Sequence, residues 1–522
     1  MKNMHIVKGV YYDSVTLMLV ARELKQIEDV REATLNIATP ANIAIMRQAG
    51  FEIPEGAHSP DDLLVGLDCP AERQQELFQT ARTWLASPPW KKESEKTTYQ
   101  PKSLDGALSI LPEANLALVS IAGRYAAAEA TKALERGRNV MLYSDNVSLE
   151  DEIRLKQLAH SRGLIVMGPD CGTAVINGKG LGFSNACPTG PVGIVSASGT
   201  GLQEVMVQLA RRGIGVKHGL GTGGRDVKTE VGGISFVDGL NALARDPDIQ
   251  VLVAIGKPPA AEVRARILAT MEQSGKAGVA CFMGDRNHPD APPVFFATQL
   301  EECAQVVSVL LEKGKQVDKA TVKQARQALF GSYPVPPPHE RKDGYLKGLF
   351  TGGTLCYEAQ FMAQPIVGPV WSNAPLHSEQ KVQGNSLSMT GHCMVDYGED
   401  EFTQGRLHPM IDPSLRTERL LEQLKDPMVG VILFDVVLGY GSAAQPVDEL
   451  VAALQQAGYR EGSSFPTLVC SICGTEEDPQ VLSAQRTKLK QAGVKVFESN
   501  AAAALFAALL AQSPQGKEEK NG

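Results

Sequence analysis

No apolar run in this chain approaches the ~18 residues that a membrane span needs. The sequence therefore predicts no membrane partner. It also lacks any Lys/Arg-rich block. With 51 Lys and Arg against 59 Asp and Glu, the formal net charge is −8, which argues against neutralising the phosphates of a nucleic acid. The start, "MKNMHIVKGVYYDSVTLMLVARELK", has neither a continuous apolar core nor a small-residue cleavage site, so it does not read as a signal peptide. Paired cysteines are missing too. Nine cysteines are scattered along the chain, and an odd count suits a reducing compartment. The expected location is cytoplasmic. The single C-x-x-C, Cys470 to Cys473, has no second pair and no histidines at ligand spacing, so it does not read as zinc. It is either a redox pair or the end of an apolar strand.

What is present is ordinary globular material, with 43% hydrophobic and 21% charged residues over 522 positions. That length suggests roughly three to four domains of about 150 residues each. Residues 1–88 read as an N-terminal α/β domain, in which "ATLNIATP" is a strand and "ANIAIMRQAG" a helix. A linker spans Ser87 to Ser103. Over 104–190, apolar strands such as "NLALVSIAG" and "RNVMLYSDN" alternate with helices, and Ser148 with Asp151 forms a variant capping box. A third block covers 191–330, with "VKHGLGTGG" read as a loop. The proline-dense "GSYPVPPPHERKDG" separates it from a fourth block over 345–512, and 513–522 is a tail. Strands this apolar, alternating with helices, predict an α/β protein of several Rossmann- or flavodoxin-like parallel-sheet domains.

The last two blocks look like a duplication. "GIVSASGTGLQEVMVQLA" matches "GLFTGGTLCYEAQFMA" in plan, and Asp246-Pro247 answers Asp426-Pro427 before a later strand. The second copy carries an insertion around 365–390. Each copy has an apolar strand, a Gly/Thr turn and a helix. Glycine lets backbone N–H groups approach a ligand, and a helix start presents unpaired N–H groups with positive partial charge. A phosphate or carboxylate is the natural occupant. The candidate phosphate-binding residues are Ser198, Gly199 and Thr200 in one turn and Gly352, Gly353 and Thr354 in the other. Capping of the helices is the plainer role for the hydroxyls. If the two turns face each other, they can hold one phosphoryl group from both sides.

Further polar groups crowd "GHCMVDYGEDEFTQGRLHPMIDP". His408 and His392 are candidate acid/base residues, and Arg406 is a candidate clamp for a carboxylate. Glu399 and Asp400 are candidate ligands for Mg²⁺ beside phosphate oxygens. The alternative is that the acids cap turns and His408 packs before Pro409. Gly223, Gly224, Arg225 and Asp226 are expected to line the same cleft. Lys257 ends a strand, where ligands collect in open α/β sheets, unless it is a surface lysine. No P-loop is present.

These segments carry a resemblance. "LIVMGPDCGTAVI", "GIVSASGTG" and "GTGGRD" resemble the succinyl-CoA synthetase α subunit, and "LFTGGTL", "MVDYGED" and "VGVILFDVVLGYG" resemble the C-terminal domain of its β subunit. "YYDSVTLM", "YSDNVSLEDE", "MGPDCGT" and "GRLHPMIDP" resemble the FdrA family over nearly the whole length. The resemblance implies a CoA-binding-like Rossmann domain at 104–190, a synthetase α-like ligase domain at 191–330 and a β-like domain at 345–512. It also implies an active-site phosphate at the two turns. The chain departs from the synthetases in lacking the phosphohistidine "GHAGA", the CoA-binding "GxTGxxG" and the ATP-grasp portion, and His288 has no phosphohistidine frame around it. The FdrA resemblance implies a subunit of an oxamate carbamoyltransferase-like complex of anaerobic allantoin use, converting oxalurate and phosphate to oxamate and carbamoyl phosphate. Partner subunits and an oligomer are then expected. Two alternatives stand beside it: an acyl-CoA synthetase of succinate–CoA ligase type that binds CoA, and a non-catalytic ligand-binding subunit.

Overall fold

A computed structural model describes the chain apart from residues 1, 11, 13, 40–41, 44–45, 48, 54–58, 60–61, 88–100, 102, 286–288, 315–316, 383–388, 404–405, 463 and 512–522. Most of the 87–103 linker, the tail, His288 and much of the "ANIAIMRQAG" helix lie outside the described residues. The chain divides into two compact units, Met1–Ala114 with Asp400–Leu407, and Asn115–Glu399 with His408–Gly522. Among the described residues no helix is long and apolar enough to cross a membrane.

The first unit holds a three-stranded antiparallel sheet, with Leu63–Asp68 between Lys2–Val7 and Glu32–Ile37. Helices Ser14–Lys25 and Gln74–Ala86 present Leu17, Val20 and Leu24, and Leu77, Ala81 and Leu85, to one core. Spacings of three and four place each set on one helix face.

The second unit contains three sheets. The smallest is parallel, in the order Leu116–Val119, Asn139–Leu142, Val166–Met167. Its second helix, Leu149–Ser161, is capped as expected, the Ser148 hydroxyl accepting the Asp151 N–H at 3.1 Å.

The largest sheet has seven strands, in the order Val294–Ala297, Ala277–Phe282, Val251–Gly256, Val192–Ser196, Val216–Gly221, Thr173–Ile176, Lys179–Gly182. The hairpin 173–182 is its antiparallel edge, so this sheet begins before residue 191. Asn177 and Gly178 turn that hairpin with φ of 48° and 69°, as an Asn-Gly turn requires. Val216–Gly221 is a strand, not the loop read from its glycines. The absent side chains make room: a Cβ on Gly219 would lie 3.1 Å from Leu202, and one on Gly221 2.6 Å from the Thr173 carbonyl.

The third sheet is fully parallel, in the order Trp371–Ser372, Cys393–Asp396, Tyr345–Phe350, Val429–Val437, Thr467–Cys473, Lys495–Phe497. Leaving aside the hairpin and Trp371–Ser372, which lies in the insertion, both sheets follow the flavodoxin-like order 2-1-3-4-5. The duplication is real at the level of topology. Every residue of Val429–Val437 and Thr467–Cys473 is buried, which is why these strands read as unbroken apolar runs. Cys470 and Cys473 belong to the second of them. Burial pushes both thiols well above their ordinary range, so they are strand residues and not a redox pair. Helices from the two repeats share one core, through Leu202, Leu209, Leu355, Ala359, Ala503 and Ala507.

Candidate functional site

In each repeat the first strand ends at the point where strand order reverses, the position at which open α/β sheets bind ligands. The first strand, Val192–Ser196, runs into a turn and then helix Gly199–Arg211; its counterpart, Tyr345–Phe350, runs into helix Gly353–Val367. Ser198 is the N-cap of the first helix, accepting the Gly201 N–H at 2.9 Å. Its hydroxyl also shares a short hydrogen bond with that of Thr354. A Cβ on Gly352 would lie 2.9 Å from the Thr200 methyl. The two helix starts therefore meet, one from each repeat.

The second turn is held from within. Asp435, on strand Val429–Val437, accepts the N–H groups of Thr351 and Gly352 at 2.7 and 2.8 Å. Arg416, itself buried, pairs with Asp435 at 3.3 Å and donates to the Thr351 hydroxyl at 2.6 Å. Gly352 has no side-chain cap, which leaves the first N–H groups of the helix beyond it without intrahelical partners.

Three ionisable groups surround this junction. Asp396 ends strand Cys393–Asp396 and is only 3% exposed. Its Oδ1 accepts the Gly398 N–H at 2.8 Å, while Oδ2 faces Gly353 so closely that a Cβ there would collide with it. Burial, reinforced by the charge of Glu399, pushes this carboxyl up to about 7 against the pull of the Gly398 N–H and Lys257. His408 is driven down to about 4 by burial, so it is neutral at physiological pH. Its Nδ1 accepts the Met410 N–H at 3.2 Å, which places the proton on Nε2. Nε2 converges with Asp396 Oδ1 on Gly398: a Cβ there would lie 2.8 and 3.1 Å from them. Lys257 follows strand Val251–Gly256, with Nζ 5.1 Å from the centre of the Tyr357 ring. The structure thus brings Ser198, Thr200, Gly352, Gly353, Thr354, Lys257 and His408 to one place. Gly223 and Gly224 flank it, Gly223 packed against the Pro169 carbonyl and Gly224 near the Ala197 carbonyl.

Other expected residues lie elsewhere. His392 stands before strand Cys393–Asp396, at the opposite edge of the sheet from the turns. Its Nδ1 accepts the Leu346 N–H at 3.0 Å, so it braces strand starts and does not reach the turns. Asp226 is wholly buried and spends its oxygens on Lys156 Nζ at 2.9 Å and the Phe236 N–H at 2.8 Å. Arg225 turns to Glu152 at 2.7 Å and the Val147 carbonyl at 2.9 Å. Both residues therefore tie the Gly223 turn to the preceding block instead of lining a cleft. Asp400 and Arg406 fall in the first unit, Glu399 and His408 in the second. Among the described residues no group of three or more His, Cys, Asp or Glu is arranged to hold a metal ion.

Asp396 stands in the sequence only as one of several acids in "MVDYGED", without a role of its own, and Asp435 and Arg416 are not singled out there. The same holds for Glu204 and Glu358. Each sits five residues after its helix's first glycine, and each is buried. Alignment of "GTGLQE" on "GTLCYE" was the available signal.

Residues 349–510 match the CoA-ligase family, and residues 1–101 match the family described as AllF, heavy metal-associated domain. Residues 1–101 contain one cysteine, Cys69, which is buried with its thiol pushed up by that burial. With no second thiol, they do not fit a soft metal held by paired thiolates. The succinate–CoA ligase α subunit of Methanothermobacter thermautotrophicus is 28% identical over 35% of this chain and 60% of its own length. The malate–CoA ligase α subunit of Methylorubrum extorquens is 28% identical over 30% of this chain and 54% of its own. The chain thus spans little more than half of those subunits. Among solved structures, ATP citrate lyase from Methanothrix soehngenii overlaps 45% of this chain and 43% of its own, with 20% identity and a TM-score of 0.33. The protein YahF of Escherichia coli K12 is 36% identical across 95% of this chain and 96% of its own, so the chain belongs to the YahF family, with a CoA-ligase domain at its C-terminal end.

Proposed function

We propose that this chain is an acyl-CoA-synthetase-like protein that holds an acyl phosphate at the junction of the two helix starts and moves the acyl group between phosphate and an acceptor. The observation that carries this reading is the Ser198–Thr354 hydroxyl contact, which joins one switch-point turn from each repeat. Unpaired N–H groups at Gly199, Thr200, Gly353 and Thr354 would receive the phosphoryl oxygens. Lys257 would offset their charge, and His408 would donate from Nε2. CoA as acceptor is supported by the CoA-ligase match over residues 349–510. A narrower reading, transfer of a carbamoyl group between oxalurate and phosphate within a multi-subunit complex, is favoured by the AllF match over residues 1–101 and by the FdrA resemblance.

The test is a thermal-shift titration of the full chain against inorganic phosphate, carbamoyl phosphate, acetyl phosphate and CoA, with and without Mg²⁺. Ligands of the native state raise its melting temperature by mass action. Stabilisation by phosphate and an acyl phosphate is expected in either reading. Added stabilisation by CoA selects the synthetase-like version, and stabilisation by carbamoyl phosphate beyond that by acetyl phosphate, with none from CoA, selects the carbamoyl version. No shift with any phosphate compound would refute both.

A further inference from the structure

We propose that the anion site at the second turn is coupled to a proton: Asp396 takes up a proton when a doubly charged oxyanion, such as phosphate or the phosphoryl end of an acyl phosphate, binds over Gly353. The inference rests on the anion site of the proposed function and adds a chemical requirement to it.

The argument is geometric first. The first turn of helix Gly353–Val367 is the most positive point of that element, and it carries no acidic residue of its own. Asp396 is almost completely buried against it, with Oδ2 directed at Gly353. Oδ1 is satisfied by the Gly398 N–H; Oδ2 has no hydrogen-bond partner among the described residues. An ionised Asp396 would occupy the field that an incoming anion needs. Two anions this close repel, and where the oxyanion keeps its charge, as sulfate does, the group that can take up a proton is the carboxyl. Protonated, Oδ2 becomes a donor to the anion in place of a competitor.

The charges facing Asp396 decide how far this goes. Glu399, from the loop beyond it, and Asp435, from strand Val429–Val437, both disfavour its ionised form, and Asp435 is largely offset by Arg416 of helix Ser414–Leu424. Lys257, at the end of strand Val251–Gly256, is the opposing cation. His408 shares the Gly398 contact and is neutral. Helix Gly353–Val367 contributes the Thr354 hydroxyl and helix Gly199–Arg211 lies behind Ser198, neither adding a charge in its first turn. With burial and Glu399 already holding the carboxyl near 7, a bound dianion raises it further and draws in the proton.

Sulfate is the probe, because its charge stays constant across the range. Calorimetric titration of the full chain from about pH 6 to about pH 9, in buffers of different ionisation enthalpy, reads both affinity and protons exchanged. We expect uptake approaching one proton per sulfate at the alkaline end, with affinity falling about tenfold per pH unit there. Asp396→Asn, which mimics the protonated side chain, should bind sulfate with an affinity independent of pH and with no proton uptake. Wild-type binding without uptake overturns the inference and leaves the anion site standing. Uptake that persists in Asp396→Asn and vanishes in His408→Gln overturns it in favour of the imidazole. A folded Asp396→Asn that does not bind sulfate also contradicts it. Absence of sulfate binding by the wild type at every pH removes the anion site itself, and the inference with it.

Discussion

Gly353 has to be glycine because an acid stands where its side chain would go. A Cβ there collides with Asp396 Oδ2, whereas one on Gly199 would lie 3.3 Å from the Thr173 hydroxyl. Gly353→Ala should therefore cost about 1–3 kcal/mol in urea unfolding, by overpacking, and abolish stabilisation by phosphate. Gly199→Ala should cost clearly less; equal costs would mean that Asp396 does not abut the helix start. The same acid sets a pH dependence. Its folded value, about 7, lies above the ordinary 3.8, so the stability linked to its neutral form is present below about pH 4 and is lost as pH rises through about 7. Glu358, also raised to about 7 by burial, adds a loss in the same window. Asp396→Asn should therefore reduce, without abolishing, the fall in melting temperature between those limits.

At the scale of elements, a buried carboxylate links the repeats. Glu358, on helix Gly353–Val367, accepts the Leu300 N–H of the first repeat at 2.7 Å and the Asn500 amide of the second at 2.8 Å. Glu358→Ala should leave the Leu300 N–H buried and unsatisfied and the Asn500 amide with the Leu355 carbonyl alone, lowering stability by about 1–3 kcal/mol; chemical denaturation reads it. An unchanged midpoint would mean that those donors find other partners.

Which elements were legible follows from the same physics. The long parallel strands declared themselves, because burial on both faces demands unbroken apolar runs such as "VGVILFDVV". Val216–Gly221 did not, because its glycines answer to close neighbours that composition does not reveal. The hairpin at 173–182 was announced by Asn177-Gly178 and passed over, its strands being only four residues each. His392 was misplaced for a simpler reason. It is near His408 in sequence, but the strand Cys393–Asp396 between them carries the chain roughly 13 Å across the sheet. The turns were found from Gly and Thr, while their neighbour Asp396 was read as one acid among several.

For the molecule as a whole, the Gly223 turn is anchored to the preceding block by a buried cluster. Lys156 Nζ meets Glu152 at 2.7 Å, Asp226 at 2.9 Å and the Thr222 carbonyl at 2.9 Å, all out of solvent. Lys156→Met should leave Asp226 without its cation and Glu152 with Arg225 alone, and destabilise the chain by about 3–5 kcal/mol, seen as a lower denaturation midpoint. Asp226→Asn should cost less, since Glu152 remains paired.

The central claim is that two repeats were brought together to hold one oxyanion. The most direct measurement is a crystal of the full chain soaked in selenate, with the anion located by its anomalous scattering. The account predicts one peak within hydrogen-bonding distance of N–H groups from both helix starts, at Gly199 or Thr200 and at Gly353 or Thr354. A peak touching one start alone, or selenate found only elsewhere on the molecule, would contradict it.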